Sequence, residues 1–297
     1  SALGMEIPGE MASDYVATNV ANHHRFAADM EELFSRRGLY DRLLPVESTP
    51  KEDETLLALA RRIGEVSAFT EIPRLVAAAL GDGMSLDGAA EAMSVGGATI
   101  HMRTDYGNPF DVHFTTGMNA RRWLLRLPGI SQENSILALL SLAYSPEIRL
   151  AEDKLDWPVR PSPEEIAALP DRGQGDLLDA IEAEILRHPR REVYESSPRV
   201  GLMRAGEPTR RIMALAWQYV EKGYGAEALF LRMGRIMCKD DFAEMHTFKH
   251  LQATSDEYAC ARPGHRDVYL VSAVKVAAST YGIAQDVFAR ARPHLTV

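Results

Sequence analysis

Segments with a helical period recur along the whole chain, whereas strand-like alternation of apolar and polar residues is nearly missing from the sequence. No run of about four to eight alternating β-branched residues is bounded by a hairpin turn. Glycine and proline separate the helical segments, as at Gly81-Asp82-Gly83 and Gly223-Tyr224-Gly225. This pattern predicts an all-α fold, a single-lobed bundle of about ten to twelve helices.

The chain of 297 residues, 46% of them hydrophobic, is long enough to build one large core. We expect a single helical domain over residues 1–297, with an irregular arm at 1–20 and a linker or lid at 151–173. Asn22 is the expected N-cap of the first helix, since its side-chain oxygen can accept from free amides in the first turn.

A net charge of −9 argues against a nucleic-acid partner. The sequence predicts no membrane association, because no apolar run reaches the ~20 residues that span a bilayer. A signal peptide is also missing from its start, so we expect a cytoplasmic protein. Cys238 and Cys260 are expected to be packed core thiols. For its assembly, a homodimer is an open alternative.

A helix without proline or glycine is predicted from Asp240 to about Ala261. At about 100° per residue, one side of it carries the apolar positions Phe242, Met245, Ala253 and Cys260. Lys249 falls within this predicted inward face, and His246 lies beside it. A buried ammonium is costly unless it is paired or neutralised, and a neutral amine can act as a base or form a metal-binding carbamate. Lys249 is therefore a candidate for both catalysis and metal binding.

His250 follows His246 by one helical turn, which places two imidazoles on neighbouring turns. The alternative is an exposed helix edge, where the His-x-x-Lys-His pattern has no function and Lys249 extends into solvent.

A second stretch rich in functional groups contains His101 and His113 on either side of the turn Gly107-Asn108-Pro109. Asp105 is a catalytic candidate here, and Asp105 or Arg103 would orient or protonate a substrate. The aromatic residues that would position this substrate are Tyr106, Phe114 and Trp123. The alternative is that both histidines are buried, hydrogen-bonded core residues.

Several signatures of known chemistry are missing from the sequence: the dinucleotide and P-loop glycine motifs, G-x-S-x-G, C-x-x-C and H-E-x-x-H. A set of histidines remains, which suits iron, zinc, copper or nickel. Its members are His23, His24, His101, His113, His246 and His250. Three further histidines look peripheral: His188, His265 and His294.

Three separated stretches resemble the questin oxidase-like family. Asn22-His23 is similar to its N-terminal Asn-His. The segment His113-Phe114-Thr115-Thr116-Gly117-Met118-Asn119-Ala120-Arg121 resembles its His-x-x-Thr-Gly-x-x-Ala-Arg motif. His246-Thr247-Phe248-Lys249 resembles its His-x-x-Lys near the C-terminal end. The motifs cover about thirty residues and occur in the family's order.

This resemblance implies a helical oxygenase that acts on an aromatic polyketide such as an anthraquinone, by oxidative ring cleavage or Baeyer–Villiger-type oxidation. It implies O2 as cosubstrate, NADPH as a further candidate cosubstrate, and a non-haem Fe(II) held by histidines and a carboxylated lysine. The matched positions are His23, His113, His246 and Lys249. The chain is shorter than fungal members and lacks the family's Phe-His-Gly-like helix. His101 takes that place by proximity, with His24 and His250 as alternatives.

Two other functions stay open on the sequence. One is a metal-free helical enzyme or small-molecule binding protein that uses Lys249 as a base or Schiff-base amine. The other is a non-enzymatic helical interaction module in which every histidine is structural.

Overall fold

The computed structural model describes residues 9–105, 112–145, 148, 155–189, 206–239, 245–282, 290 and 292–294. Within these residues the chain forms twelve α-helices and no β-strand, which confirms the predicted all-α bundle. The helices are α1 Gly9–Arg37, α2 Asp53–Gly64, α3 Ile72–Gly81, α4 Leu86–Arg103, α5 Val112–Leu124, α6 Gln132–Ser141, α7 Pro163–Ala167, α8 Gln174–Arg187, α9 Gly206–Glu221, α10 Ala226–Cys238, α11 Met245–Cys260 and α12 Asp267–Thr280. None of the described helices is long and apolar enough to cross a bilayer.

Helix α4 lies at the centre of the bundle. Fifteen of its residues are buried, as expected for a helix that is covered on all sides. It packs against α2, α5 and α12. Gly96 allows the contact with α2, because a Cβ there would lie 2.5 Å from Cγ2 of Ile63 and 2.9 Å from the carbonyl oxygen of Ala60.

The start of α4 follows from its sequence. Ser85 is the N-cap, and its Oγ accepts from the N–H of Gly88 at 3.0 Å. The helix extends to Arg103, about two turns beyond the end at Val95 that the glycine pair Gly96-Gly97 suggests. His101 therefore lies in the last turn of a buried helix.

Hydrogen bonds set the directions of α11 and α12 around α4. Ser94 bonds to Glu257 of α11, and seven residues further along α4, His101 faces His250. Helices α4 and α11 therefore run antiparallel. Ser94 also bonds to Tyr269 of α12, and His101 to Ser272, so α12 runs parallel to α4.

Three expectations about local structure are wrong. The arm at 1–20 is helical from Gly9 onwards, and Asn22 is a buried residue inside α1 and not its N-cap. The described part of 151–173 contains the short helix α7, which begins after the N-cap Ser162, and its role as a linker or lid stays a prediction. Cys238 and Cys260 are both exposed thiols, and not core residues.

Candidate functional site: a buried histidine pair

Two histidines meet in the interior on a single serine. His101 Nδ1 lies 2.8 Å from Ser272 Oγ, and His250 Nε2 lies 2.9 Å from the same oxygen. The ring centroids are 5.1 Å apart with an edge-to-face orientation. The exposed fractions of His101 and His250 are 2% and 0%, so both rings are removed from bulk water.

The shared hydroxyl couples the protonation of the two rings, because it has one proton to donate. When Ser272 donates its proton to one ring, it accepts an N–H from the other. The ring that donates to Ser272 then has its lone pair on the nitrogen that faces away from Ser272. For both outer nitrogens, Nε2 of His101 and Nδ1 of His250, to offer lone pairs, Ser272 must accept from both rings. Its own proton then goes to another acceptor.

A buried lysine holds the end of α4 that carries His101. Lys275 Nζ donates to the carbonyl oxygen of His101, to the carbonyl oxygen of Thr104 at 2.8 Å and to Thr104 Oγ1 at 2.6 Å. Its ammonium lies 5.7 Å from the ring centroid of Trp157. The exposed fraction of Lys275 is 0%. A cation is favourable at the C-terminal end of a helix, so Lys275 fixes the turn on which His101 sits.

The inward face of α11 is polar and centres on His250. The sequence had predicted an apolar inward face instead. The buried members of the observed face are Thr247, His250, Ala253, Thr254 and Glu257. Lys249 is exposed, so the prediction that it faces the interior is wrong. Phe242 lies outside the described residues.

Two turns further along α11, Glu257 forms a second buried cluster. Glu257 pairs with Arg122 of α5 at 2.5 Å, and it also accepts from Ser94 at 2.7 Å and from Asn119 at 3.1 Å. Burial lowers the pKa of the Arg122 guanidinium, but the Glu257 carboxylate outweighs burial, and the pKa is raised. Burial also raises the pKa of Tyr269, which donates to Ser94. This cluster ties α4, α5, α11 and α12 together.

A small cavity of about 10 Å³ lies beside His101. Its other walls are Phe69, Gly97, Ile100, Thr104, Phe114 and Ile148. This volume is close to the minimum for one water molecule, so the cavity has no room for an aromatic substrate.

The proposed metal-binding residues whose side chains are described differ in burial. His23 is exposed on α1, as is its alternative His24, and Lys249 is exposed on α11. His101 is buried, and His113 is half-buried in the first turn of α5. The side chain of His246 lies outside the described part of the structure. Among the described residues, no group of three or more histidine, cysteine or acidic side chains is arranged to hold a metal ion.

Most of the His113–Arg121 motif has a packing role. Arg121 Nε donates to the carbonyl oxygen of Ala138 at 2.6 Å and so joins α5 to α6, and burial lowers the pKa of Arg121. A Cβ at Gly117 would lie 2.7 Å from Cδ1 of Leu142. Thr116 Oγ1 donates to the carbonyl oxygen of Val112 within α5. These contacts do not involve His113, whose imidazole therefore remains a candidate for chemistry.

The described members of the predicted substrate-contacting set make packing contacts with other parts of the chain. Arg103 donates to the carbonyl oxygens of Gly64 and Val66 at the end of α2, and Asp105 Oδ1 accepts from the N–H of Gly206 at 3.1 Å. These contacts are structural, since they join chain segments to one another. The aromatic candidates are spread apart: Phe114 packs edge-on against Phe69, Trp123 is 59% exposed at the other end of α5, and Tyr106 lies outside the described residues.

The histidines expected to be peripheral differ from one another. His294 is exposed, as expected, and His188 is half-buried with 41% of its side chain exposed. His265 is not peripheral, because its side chain is 8% exposed and its Nδ1 lies 3.8 Å from the buried carboxylate of Glu91.

Sequence reasoning missed Ser272 and Lys275. A signal for Lys275 was present, since it is a lysine within the apolar run of α12, where thirteen of the helix's residues are buried. The criterion that selected Lys249 selects Lys275 more strongly. No comparable signal marks Ser272.

Comparison with known proteins identifies no relative: no family model matches the chain, and neither a curated protein nor a solved structure is significantly similar to it. The fold and site define an all-α protein with a buried histidine pair on a shared serine.

Proposed function

We propose that this chain is a metal-dependent oxidoreductase, a non-haem iron oxygenase in which His101 and His250 supply imidazole ligands. The observation that carries the proposal is that both buried rings bond to Ser272. Metal-ligating histidines generally use their second ring nitrogen in such a hydrogen bond, which fixes ring orientation and tautomer. The resemblance in the His113 and His246 segments supports the same chemistry.

The donor set fits iron only in part. The chemistry of two buried imidazoles is appropriate, and His113 and His246 remain candidate ligands. His23 and Lys249 do not fit, because the ligands of a buried metal site must themselves be buried, whereas both of these residues are exposed. The proposal therefore does not include a carboxylated Lys249.

The bound iron would supply activation of O2. The chain's own residues orient the rings and control protons. Ser272 holds both imidazoles in place and limits which ring nitrogen carries a proton. Lys275 holds the last turn of α4, and hence His101. Burial excludes bulk water from the pair. The substrate class, an aromatic polyketide, rests on the resemblance alone.

Metal analysis of the full chain tests the proposal. We expect protein purified with iron(II) under reducing conditions to retain iron at about one ion per chain, and His101→Ala and His250→Ala to lose it. The matched control is His24→Ala, which removes an exposed imidazole from α1. A wild-type chain that binds no transition metal, or a His24→Ala variant that loses metal as fully as His250→Ala, would refute the proposal.

The two rivals predict different results. The Lys249 amine mechanism is not supported, because the argument for it requires a buried Lys249 and Lys249 is exposed. The interaction module predicts that His101 and His250 are core residues only. It then follows that His250→Ala destabilises the fold without any change in metal content.

A further inference from the structure

A broad concave surface lies between α10 and α11, on the side of α11 opposite His250. It is a groove of about 1190 Å³ that is open to solvent. Its apolar walls include Phe230, Leu231, Phe248, Leu251 and Tyr258. Leu231 is 57% exposed and Phe248 is 42% exposed. An open apolar groove with two large exposed side chains is a candidate interaction site.

One exposed stripe of α10 carries opposite charges on either side of Leu231. Glu227, Leu231 and Arg235 follow one another at four-residue spacing, and all three are exposed. The outer two are therefore about 12 Å apart along the helix, too far to pair with each other. Within the described part of the chain, neither Glu227 nor Arg235 forms an ion pair.

The other charged residues of α10 contrast with these two. Arg232 pairs with Asp179 and Glu182 of α8, both at 2.7 Å, and Lys239, just past the end of α10, pairs with Glu182 at 3.2 Å. Arg232 and Lys239 are thus paired with acidic groups of α8, although Lys239 also lines the groove, whereas Glu227 and Arg235 have no ion pair within the described residues.

We propose that the groove is the contact surface for a second copy of this chain, related by a two-fold axis that passes Leu231. A two-fold rotation about an axis perpendicular to α10 places α10 of one copy antiparallel to α10 of the other. Because residues equally distant from the axis then face each other, Glu227 of each copy meets Arg235 of the other. The same operation places α11 over α11, since α10 and α11 are antiparallel neighbours that pack through Phe230 and Tyr258, with ring centroids 5.7 Å apart.

Charge complementarity favours this occupant over others. Opposite charges placed symmetrically about an apolar centre suit a surface that pairs with itself across a two-fold axis, and the stripe from Glu227 to Arg235 has that arrangement. A small ligand is usually enclosed by its pocket, whereas this groove is open.

Charge reversal tests the pairing. We expect sedimentation velocity and light scattering to show a concentration-dependent dimer of the full chain. Glu227→Arg and Arg235→Glu each place like charges opposite one another and weaken dimerisation by about tenfold or more. The double variant Glu227→Arg/Arg235→Glu restores opposite charges and recovers the wild-type dimer. Leu231→Glu abolishes it.

The matched control is Leu43→Glu, a change at a leucine that is 94% exposed and lines a different cleft. It leaves the dimer intact, and circular dichroism of each variant checks the fold. A wild-type chain that is monomeric at every concentration overturns the proposal. So does a dimer that Leu43→Glu dissociates, or a double variant that fails to recover. A monomer whose groove takes up an apolar dye assigns the groove to a small molecule instead.

Discussion

The ammonium of Lys275 lies 2.6 Å from the hydroxyl oxygen of Thr104, in the interior of the protein and at the end of the central helix. One lysine thus connects α12 to the last turn of α4, next to the histidine pair. We expect Lys275→Met to lower the free energy of unfolding by about 2–3 kcal/mol, because the carbonyl groups of His101 and Thr104 lose a buried donor.

Lys249→Met is the matched control for this change. Lys249 is exposed, so its replacement is expected to stay within about 0.5 kcal/mol of the wild type. Urea denaturation of both variants measures the difference. Equal stability of the two variants would contradict the role of Lys275 as a buried clamp.

The Arg122–Glu257 pair is expected to show strong coupling in a double-mutant cycle. Arg122→Met leaves the buried Glu257 carboxylate without its cation, and Glu257→Leu leaves Arg122 with the more distant Asp87 at 3.9 Å. Each single change is expected to cost about 3–5 kcal/mol. The double variant removes both charges and should lose much less than the sum of the two single losses. Chemical denaturation of the four proteins gives the coupling energy, and simple additivity would argue against a direct pair.

Alkaline pH is expected to destabilise the protein through Tyr269. Burial raises the pKa of Tyr269 in the folded state above the ordinary value of about 10. As pH rises, Tyr269 therefore loses its proton in the unfolded chain before it does so in the folded protein. The contribution of the neutral Tyr269 to stability is complete below pH about 10 and is lost as pH rises above that value. The expected slope is about 1.4 kcal/mol per pH unit for this one group.

Tyr269→Phe removes the titrating hydroxyl and should reduce that slope. Tyr144 retains its own contribution, since burial and the neighbouring Asp29 raise its pKa as well. Free energies of unfolding measured from neutral to strongly alkaline pH test this expectation. An unchanged slope in Tyr269→Phe would assign the alkaline loss to other groups.

Ser272→Ala should change the ring nitrogens of His101 and His250 together, because one hydroxyl serves both rings. Nitrogen-15 NMR of the histidine rings detects the tautomer change. If the proposed iron site exists, its metal affinity falls by about 10–100-fold. Ser279→Ala on the same helix is the control, since its hydroxyl donates to the carbonyl oxygen of Val276. A response in one ring alone would contradict the shared bond.

Gly96→Ala should be among the most damaging small substitutions in the chain. The added methyl group would overlap Ile63 and the backbone of Ala60, and overpacking of this kind costs about 1–3 kcal/mol. Gly175→Ala on α8 meets no atom within 4 Å, so it should be neutral or stabilising by up to about 1 kcal/mol. Thermal unfolding compares the two, and a harmless Gly96→Ala would contradict the close contact of α2 with α4.

Local sequence signals predicted much of the fold. The glycine breaks and the recurrent helical period are short-range properties, and the structure agrees with them. The end of α4 was missed because tertiary contact with α2 makes Gly96 favourable in the middle of a helix, where glycine is otherwise unfavourable.

The sequence by itself determined the helical class of this protein and placed His101 and His250 within a set of six candidate histidines, His250 only as an alternative ligand. Only the tertiary structure decided which lysine is buried and which face of α11 turns inward. An apolar wheel assumes that the buried side of a helix is hydrophobic, but the inward face of α11 is held by hydrogen bonds to α4, α5 and α12. Those partners are distant in sequence, so no pattern within α11 could reveal them.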